Sequence, residues 1–222
     1  MRRRIAVVIF IFIGIGKETA KELARRKARV ILACRNLQRA HQAAQDIFAE
    51  TGEMVAVKQL DLCSFESVRT FAEDVLRTES RLDVLINNAG NIPGKWQQQR
   101  IVLSAHNDVA LFAQTSCFSP KTATRTDKLL SQLSPLAELL KKSAPSRVVN
   151  MSSLLHHFGT TWRLEEQAKG TYKWRTPLIT YCNTKMAMVL FTRALAPRLK
   201  PHGEPRLVKG SLAAKHSPRT TA

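Results

Sequence analysis

Short apolar runs alternate with amphipathic helical segments along the first part of the chain. Four runs are rich in β-branched residues and predict strands at residues 5–13, 29–33, 54–60 and 82–86. Three intervening segments have apolar residues at helical spacing and predict helices at residues 17–27, 37–50 and 64–78, the last with Ser64 as its N-cap. This alternation indicates right-handed βαβ units. The chain is therefore predicted to be an α/β protein with a parallel sheet.

Glycine or polar residues follow each predicted strand, where a parallel sheet binds its ligands. Gly14 and Gly16 open a helix whose N-terminal amides suit a phosphate. Arg35 lies where an NAD-binding protein carries an acid on the ribose, and an arginine there suits a 2′-phosphate. Asp61 and the Asn-Asn-Ala-Gly segment 87–90 follow the next two strands. Asp61 alone equally predicts a helix cap, and segment 87–90 a turn. Glycine or polar residues of the cofactor-binding type thus occur at four successive strand ends, which favours a dinucleotide-binding site.

Tyr181 and Lys185 are four residues apart and therefore lie on one face of a helix. An ammonium group this close to a phenol favours the phenolate, which makes the tyrosine a usable acid or base near neutral pH. The pattern is weak alone, because two surface residues on a helix also produce it. Its value here comes from the cofactor-type residues at the earlier strand ends.

The chain is strongly basic, with 35 Lys and Arg against 17 Asp and Glu and a formal net charge of +18. Such a charge attracts anions, including phosphorylated cofactors, acidic lipid head groups and nucleic acid. The basic residues are scattered, and no zinc-finger or RNA-binding motif accompanies them, which disfavours nucleic acid as a partner. The four cysteines are far apart without a C-x-x-C pair, which predicts reduced thiols and no metal site.

The N-terminal segment has two interpretations. Three arginines followed by the apolar run 5–13 resemble the charged and apolar regions of a secretory signal. The same run is typical of a buried parallel strand. Gly14 and Gly16 then lead directly into a helix without a small-residue cleavage site, which favours the strand. No stretch approaches the roughly 20 apolar residues that a membrane-spanning helix needs.

These motifs together resemble the short-chain dehydrogenase/reductase family, and within it the retinol dehydrogenase branch. The resemblance implies a Rossmann-like, doubly wound parallel sheet over residues 1–200, with a divergent segment at 91–128 and a basic, disordered tail at 201–222. The matching segments are GIGKETAKELARR at 14–26, VILACRN at 30–36, LDL at 60–62, DVLINNAG at 83–90, SAPSRVVNMSSL at 143–154 and YCNTKMAMVLFTRALAPRLK at 181–200.

The resemblance also implies a catalytic set for exchange between an alcohol and a carbonyl. Tyr181 would be the general acid/base, and Lys185 would favour its ionised form and hold the nicotinamide ribose. Ser153, at the end of a fifth strand over residues 147–150, would hydrogen-bond the substrate oxygen, and its neighbour Ser152 could be mistaken for it. Asn107 aligns with the fourth family position, although an ordinary polar residue explains it equally well.

For the cofactor, the resemblance implies NADP(H), selected by Arg35. The substrate would be a retinoid or another lipophilic alcohol or aldehyde. Members of the branch are often associated with the endoplasmic reticulum membrane, and a cytoplasmic location is the alternative. The implied cofactor-binding residues are Gly14, Ile15, Gly16, Arg35, Asn36, Asp61, Leu62, Asn87, Ala89 and Gly90, with Tyr181 and Lys185.

Three features depart from the family pattern. Phe10 occupies the position of the first glycine in the family's T-G-x-x-x-G-x-G loop, where a tight turn leaves little room for a side chain. We therefore expect weak NADPH binding. Residues 91–128 match the family poorly and include a loop-like stretch rich in Ser and Thr. After residue 200 no apolar strand follows, so the C-terminal strands and substrate lobe are expected to be missing.

Loss of those strands would leave Val148 and Val149 at an uncovered sheet edge, which predicts self-association. The departures also support an alternative function, a catalytically impaired relative that acts as an interaction or regulatory protein. A leucine stripe at residues 129–140 predicts one more helix before the fifth strand, and residues 154–177 are expected to be irregular.

Overall fold

The computed structural model describes residues 4–9, 14–62, 64–88, 136, 138–160 and 177–199. Within these ranges, strands and helices alternate as the sequence predicts. Residues 138–142 are also helical, within the predicted leucine stripe. The elements are β1 Ile5–Ile9, α1 Ile15–Arg25, β2 Arg29–Cys34, α2 Leu37–Thr51, β3 Ala56–Gln59, α3 Phe65–Thr78, β4 Val84–Asn87, β5 Arg147–Asn150, a 3-10 helix Leu154–Phe158 and α4 Pro177–Leu199.

The five described strands form one parallel sheet in the order β3-β2-β1-β4-β5. The chain moves outward from β1 to β3 and then returns to place β4 on the other side of β1. The strand order therefore reverses between β1 and β4, and ligands bind at such a point in doubly wound sheets. The predicted Rossmann-like α/β fold is confirmed.

Two apolar clusters cover opposite faces of this sheet, as a doubly wound fold requires. Successive β2 residues point to opposite faces, so Val30 and Leu32 belong to the cluster with α1 and α2, and Ile31 and Ala33 to the other. The second cluster includes α3 and the helical residues before β5. Its helical members are Val68, Phe71, Ala72, Val75, Leu136, Leu139 and Leu140.

Side-chain caps and a glycine set the limits of the helices. The Asn36 side-chain oxygen accepts a hydrogen bond from the Arg39 amide at the start of α2. Gly52 ends that helix in the left-handed conformation, with φ of 70°. Ser64 accepts from the Ser67 amide, which confirms the predicted N-cap of α3.

Several predicted boundaries were wrong by two residues. Helix α1 begins at Ile15 and ends at Arg25, because Lys27 adopts a positive φ of 63° and turns the chain into β2. Strand β3 begins at Ala56 and β4 at Val84, later than the apolar runs suggested. The stretch after Ser153 is not irregular at its start, because residues 154–158 form a 3-10 helix.

The amino edge of the sheet contains matched charges. Arg29 donates bidentate hydrogen bonds to the buried carboxylate of Glu79, and Arg81 donates bidentate hydrogen bonds to the buried carboxylate of Asp83. The Asp83 carboxylate also accepts from the backbone amide of Ile5, at 2.8 Å. These contacts join β2 to the end of α3, and the start of β1 to the residue before β4, at the edge opposite the carboxyl ends of the strands. Within the described ranges, no helix is both long enough and apolar enough to span a bilayer.

Candidate active site

The glycine-bearing N-terminus of α1 lies at the carboxyl edge of the sheet. Gly14 has φ of 152° and ψ of −140°, a conformation that residues with a side chain rarely adopt. Ile15 is exposed and Gly16 is buried in the first turn. The first amides of an α-helix lack intrahelical partners and favour an anion. This helix end therefore has the chemistry that a phosphate group requires.

The two residues after β2 have different roles: Arg35 is an exposed cation, and Asn36 is the N-cap of α2. Arg35 is exposed at the end of the strand. Asn36 uses its side-chain oxygen to cap α2, and its carbonyl accepts from the Cys34 thiol at 3.1 Å. Burial raises the pKa of the Cys34 thiol. Of this group, Arg35 is the side chain exposed for an external anion.

The residues after β3 are mainly tied to the fold. The backbone amide of Asp61 donates to the Ser67 hydroxyl at 2.9 Å, which joins this loop to the first turn of α3. Leu62 is partly buried and packs against the α3-side cluster. Asp61 is partly exposed at the carboxyl edge, where the exposed Arg35 also lies.

Asn87, the last residue of β4, begins a polar chain across the edge. It is 2% exposed and pairs in register with Asn150, the last residue of β5. The Asn87 amide donates to the Asn150 side-chain oxygen at 2.7 Å, and the Asn150 amide donates to the Thr192 hydroxyl at 3.0 Å. The sequence interpretation missed Asn150 and Thr192 as site residues. The position of Thr192, seven residues after Lys185 and so on the same helix face, was an available signal.

Helix α4 brings Tyr181 and Lys185 together, one turn apart. The Lys185 amine lies 5.6 Å from the centroid of the Tyr181 ring and donates to the Met151 carbonyl at 3.1 Å. Lys185 is 6% exposed, and its burial lowers the pKa of the amine. When protonated, a buried amine interacts strongly with nearby polar groups, because the protein interior screens its charge less than water does.

The two serines after β5 have different roles in the structure. The Ser152 hydroxyl donates to the Lys185 carbonyl at 3.0 Å and so binds α4 to the strand end. The Ser153 oxygen accepts a longer bond of 3.3 Å from the Leu155 amide and caps the 3-10 helix. Accepting that bond does not use the Ser153 hydroxyl proton. Ser153 is therefore the serine better suited to donate to a substrate oxygen.

The remaining predicted site residues, Asn107, Ala89 and Gly90, lie outside the described residues, as does Phe10. Among the residues that the structure does describe, Cys34 and Cys182 are free and buried. No three potential metal-ligating side chains come together in those same ranges.

Comparison with known proteins gives consistent results. A family model described as short chain dehydrogenase matches residues 4–163. Mouse (Mus musculus) retinol dehydrogenase 11 is 41% identical over 90% of this chain, and bovine (Bos taurus) retinol dehydrogenase 12 is 40% identical over 92%. Bovine dehydrogenase/reductase SDR family member 13 is 40% identical over 98%. The chain spans 58%, 61% and 55% of these relatives, respectively, and so less than two thirds of their length.

Solved structures share the fold. An uncharacterised protein from Mycobacterium paratuberculosis superimposes with a TM-score of 0.62 at 30% identity, over 91% of this chain and 65% of that one. A short chain dehydrogenase from Escherichia coli CFT073, complexed with NADPH, gives a TM-score of 0.59 at 25% identity, over 90% and 73% of the two chains.

Proposed function

Because the chain belongs to the short-chain dehydrogenase family, and within it to the retinol dehydrogenase branch, we propose that it interconverts a lipophilic alcohol and its carbonyl compound with NADP(H). Retinol and retinal are the proposed test pair. The observation that carries the proposal is the buried Lys185 amine, held by the Met151 carbonyl beside the Tyr181 ring. An amine is buried at a cost, and a proton-transfer site accounts for it.

The described residues fit a phosphorylated dinucleotide. The first turn of α1 suits its pyrophosphate, and the exposed Arg35 suits a 2′-phosphate. Asp61 would face the adenine, and Lys185 would hold the nicotinamide ribose. The remaining residues that we propose to line the cofactor are Ile15, Asn36, Leu62, Asn87, Ala89 and Gly90. When bound, NADP(H) supplies or accepts the hydride.

The chain's own residues would manage the proton. In reduction, the Tyr181 hydroxyl donates its proton to the substrate oxygen, and in oxidation the phenolate removes it. Lys185 favours the phenolate through its charge when protonated, and its amine can donate to the Met151 carbonyl in either protonation state. Ser153 would donate to the substrate oxygen, and Asn107 is the proposed fourth member of the set. Ser152 would act indirectly, by holding α4.

The decisive experiment measures NADPH consumption by the purified chain with all-trans-retinal. We expect turnover that falls about 100-fold or more in Tyr181→Phe, which removes the acid but keeps the ring. Lys141→Met is the matched control on a partly exposed lysine, paired with Glu138, and should leave activity unchanged. A Tyr181→Phe variant as active as the wild type would contradict the mechanism.

A titration with NADPH distinguishes the proposal from the impaired relative considered above. Phe10 leads us to expect a dissociation constant above the micromolar range. Weak but saturable binding with turnover supports the oxidoreductase. Absence of both binding and turnover would favour an interaction or regulatory role.

We also propose the organisation and setting implied by the resemblance. Residues 1–200 would form the dinucleotide-binding unit, including the divergent segment 91–128, and residues 201–222 a basic tail. Self-association through the β5 edge and peripheral contact with the endoplasmic reticulum membrane are the proposed interactions, with a cytoplasmic location as the alternative. The net charge of +18 supports contact with an acidic surface.

A further inference from the structure

We infer that Asn150 and Thr192 are positioning residues that set how α4 is placed against the sheet, and thereby where Lys185 lies. This inference rests on the proposed function for its catalytic consequence, but not for its structural test. Neither residue belongs to the proposed catalytic set. Together they connect the last residue of β4 to the helix that bears Tyr181 and Lys185.

The hydrogen bonds form a directed chain. The Thr192 hydroxyl donates to the Met188 carbonyl at 2.6 Å, one turn back in α4. Its proton is thus used, and it must accept from the Asn150 amide. The Asn150 side-chain oxygen then faces Asn87, which donates to it. In each of these hydrogen bonds the donor and the acceptor are thus fixed, so the series from Asn87 to Thr192 specifies a single arrangement of the three side chains.

Apolar packing does not specify the rotation of α4 by itself. The helix buries Cys182, Ala187 and Met188 but exposes Leu178 and Leu190. Apolar residues on several sides give the helix no single stripe to bury. Directional hydrogen bonds are therefore needed to select which face meets the strand ends.

Three successive residues at the carboxyl end of β5, beginning with its last residue, provide those bonds. Asn150 binds Thr192, the Met151 carbonyl accepts from Lys185, and Ser152 donates to the Lys185 carbonyl. Thr192 is seven residues from Lys185, about 10.5 Å along the axis and on nearly the same face. The Asn150–Thr192 bond thus holds α4 at a second point, two turns from the amine. A helix held at two points resists the rotation and sliding that a single contact allows.

The test measures the chemical labelling of Lys185 in the whole chain without cofactor. Lysines are acetylated with acetic anhydride under native conditions, and rates at individual sites are measured by mass spectrometry. In Thr192→Val, which keeps the shape but removes the hydroxyl, we expect Lys185 to be labelled about fivefold faster. Asn150→Leu should do the same, since a leucine side chain of similar size cannot hydrogen-bond to Thr192. Thr192→Ser should retain the wild-type rate.

Two controls separate this role from general stabilisation. Thr78→Val removes a similar hydroxyl-to-carbonyl bond one turn back in α3, from Thr78 to Asp74, and should leave Lys185 labelling unchanged. Lys17 and Lys21 on α1 provide the internal reference rates. Unchanged Lys185 labelling in Thr192→Val would overturn the inference. So would an equal increase at Lys17 and Lys21, because the bond would then hold the whole fold.

The kinetic consequence is measured separately. If the wild type reduces retinal, Thr192→Val should lower kcat about tenfold or more with a smaller change in KM for NADPH, and Thr192→Ser should restore it. Unaltered kcat alongside faster labelling would overturn the catalytic part of the inference. A wild type without turnover would defeat the proposed function, while the labelling would still decide how α4 is positioned.

Discussion

The two edges of the parallel sheet use different chemistry. At the amino edge, buried Glu79 and Asp83 are matched by Arg29 and Arg81. At the carboxyl edge, the hydrogen bonds that link Asn87, Asn150 and Thr192 are made by neutral amide and hydroxyl groups. The carboxylates of these pairs are buried while their arginines are partly exposed, and removing a buried carboxylate that accepts several charge-assisted hydrogen bonds costs more than removing one neutral hydrogen bond. The amino edge is therefore expected to support stability, and the carboxyl edge is expected to support activity.

The largest expected effect tests the amino edge. Asp83→Ala removes a buried carboxylate that binds both Arg81 and the Ile5 amide, and it leaves the amide without that acceptor. We expect a loss of about 3 kcal/mol in the free energy of unfolding, measured by urea denaturation. Glu138→Ala, in the exposed pair with Lys141, should change it by less than about 0.5 kcal/mol. Equal losses in the two variants would refute the comparison.

A second prediction concerns the buried amine at the carboxyl edge. Lys185→Met should abolish turnover yet stabilise the fold by about 1 kcal/mol at neutral pH, because it removes a charge that burial disfavours. The lowered pKa of Lys185 means that the unfolded chain binds more protons between that pKa and the ordinary value of 10.5. Wild-type stability should therefore rise with pH across this window, where other groups are equal.

The advantage of Lys185→Met should correspondingly shrink as the pH approaches 10.5. Urea denaturation at several alkaline pH values measures this difference, with Lys141→Met as the control on a partly exposed lysine. A difference that stays constant with pH would show that burial does not disfavour the Lys185 charge.

The smallest expected effect lies away from both edges, between α1 and α2. Hydrogen bonds from Lys17 and Lys21 lower the pKa values of Asp46 and Glu50, respectively. Their contribution to stability is present above the unfolded pKa values, near 4, and is lost as the pH falls through the lower folded values. The double variant Asp46→Asn and Glu50→Gln should unfold at slightly lower urea at neutral pH. Its stability should also depend less on pH below 4, and an unchanged acid profile would argue against these pairs.

Much of the architecture could be predicted from local pattern. Helical spacing and short apolar runs identified the helices and strands, and Ser64 was predicted as a cap from its residue type and position. The candidate site residues at single strand ends could be proposed from the sequence because a parallel sheet brings its carboxyl ends to one edge. The proximity of Tyr181 and Lys185 could be predicted because both lie on one helix, where spacing alone determines the face.

Contacts between distant elements could not be predicted in the same way. The Asn87–Asn150 bond depends on the register of β4 and β5, which 59 intervening residues leave open from sequence alone. The bond to Thr192 depends further on the rotation of α4. Similarly, the pairing of Arg29 with Glu79 arises only after β2 and the end of α3 meet. The α1 boundary was mispredicted because Lys27 adopts a positive φ that is uncommon for a residue with a side chain.

The Asn36 cap has a consequence for engineering. Since Asn36 starts α2 with its own side chain, the neighbouring exposed Arg35 can be exchanged without removing that cap. If Arg35 selects the cofactor as proposed, the choice between two nucleotides depends on a residue adjacent to the helix start yet separable from it. Reprogramming that choice would then be a change of one surface charge, with the scaffold left intact.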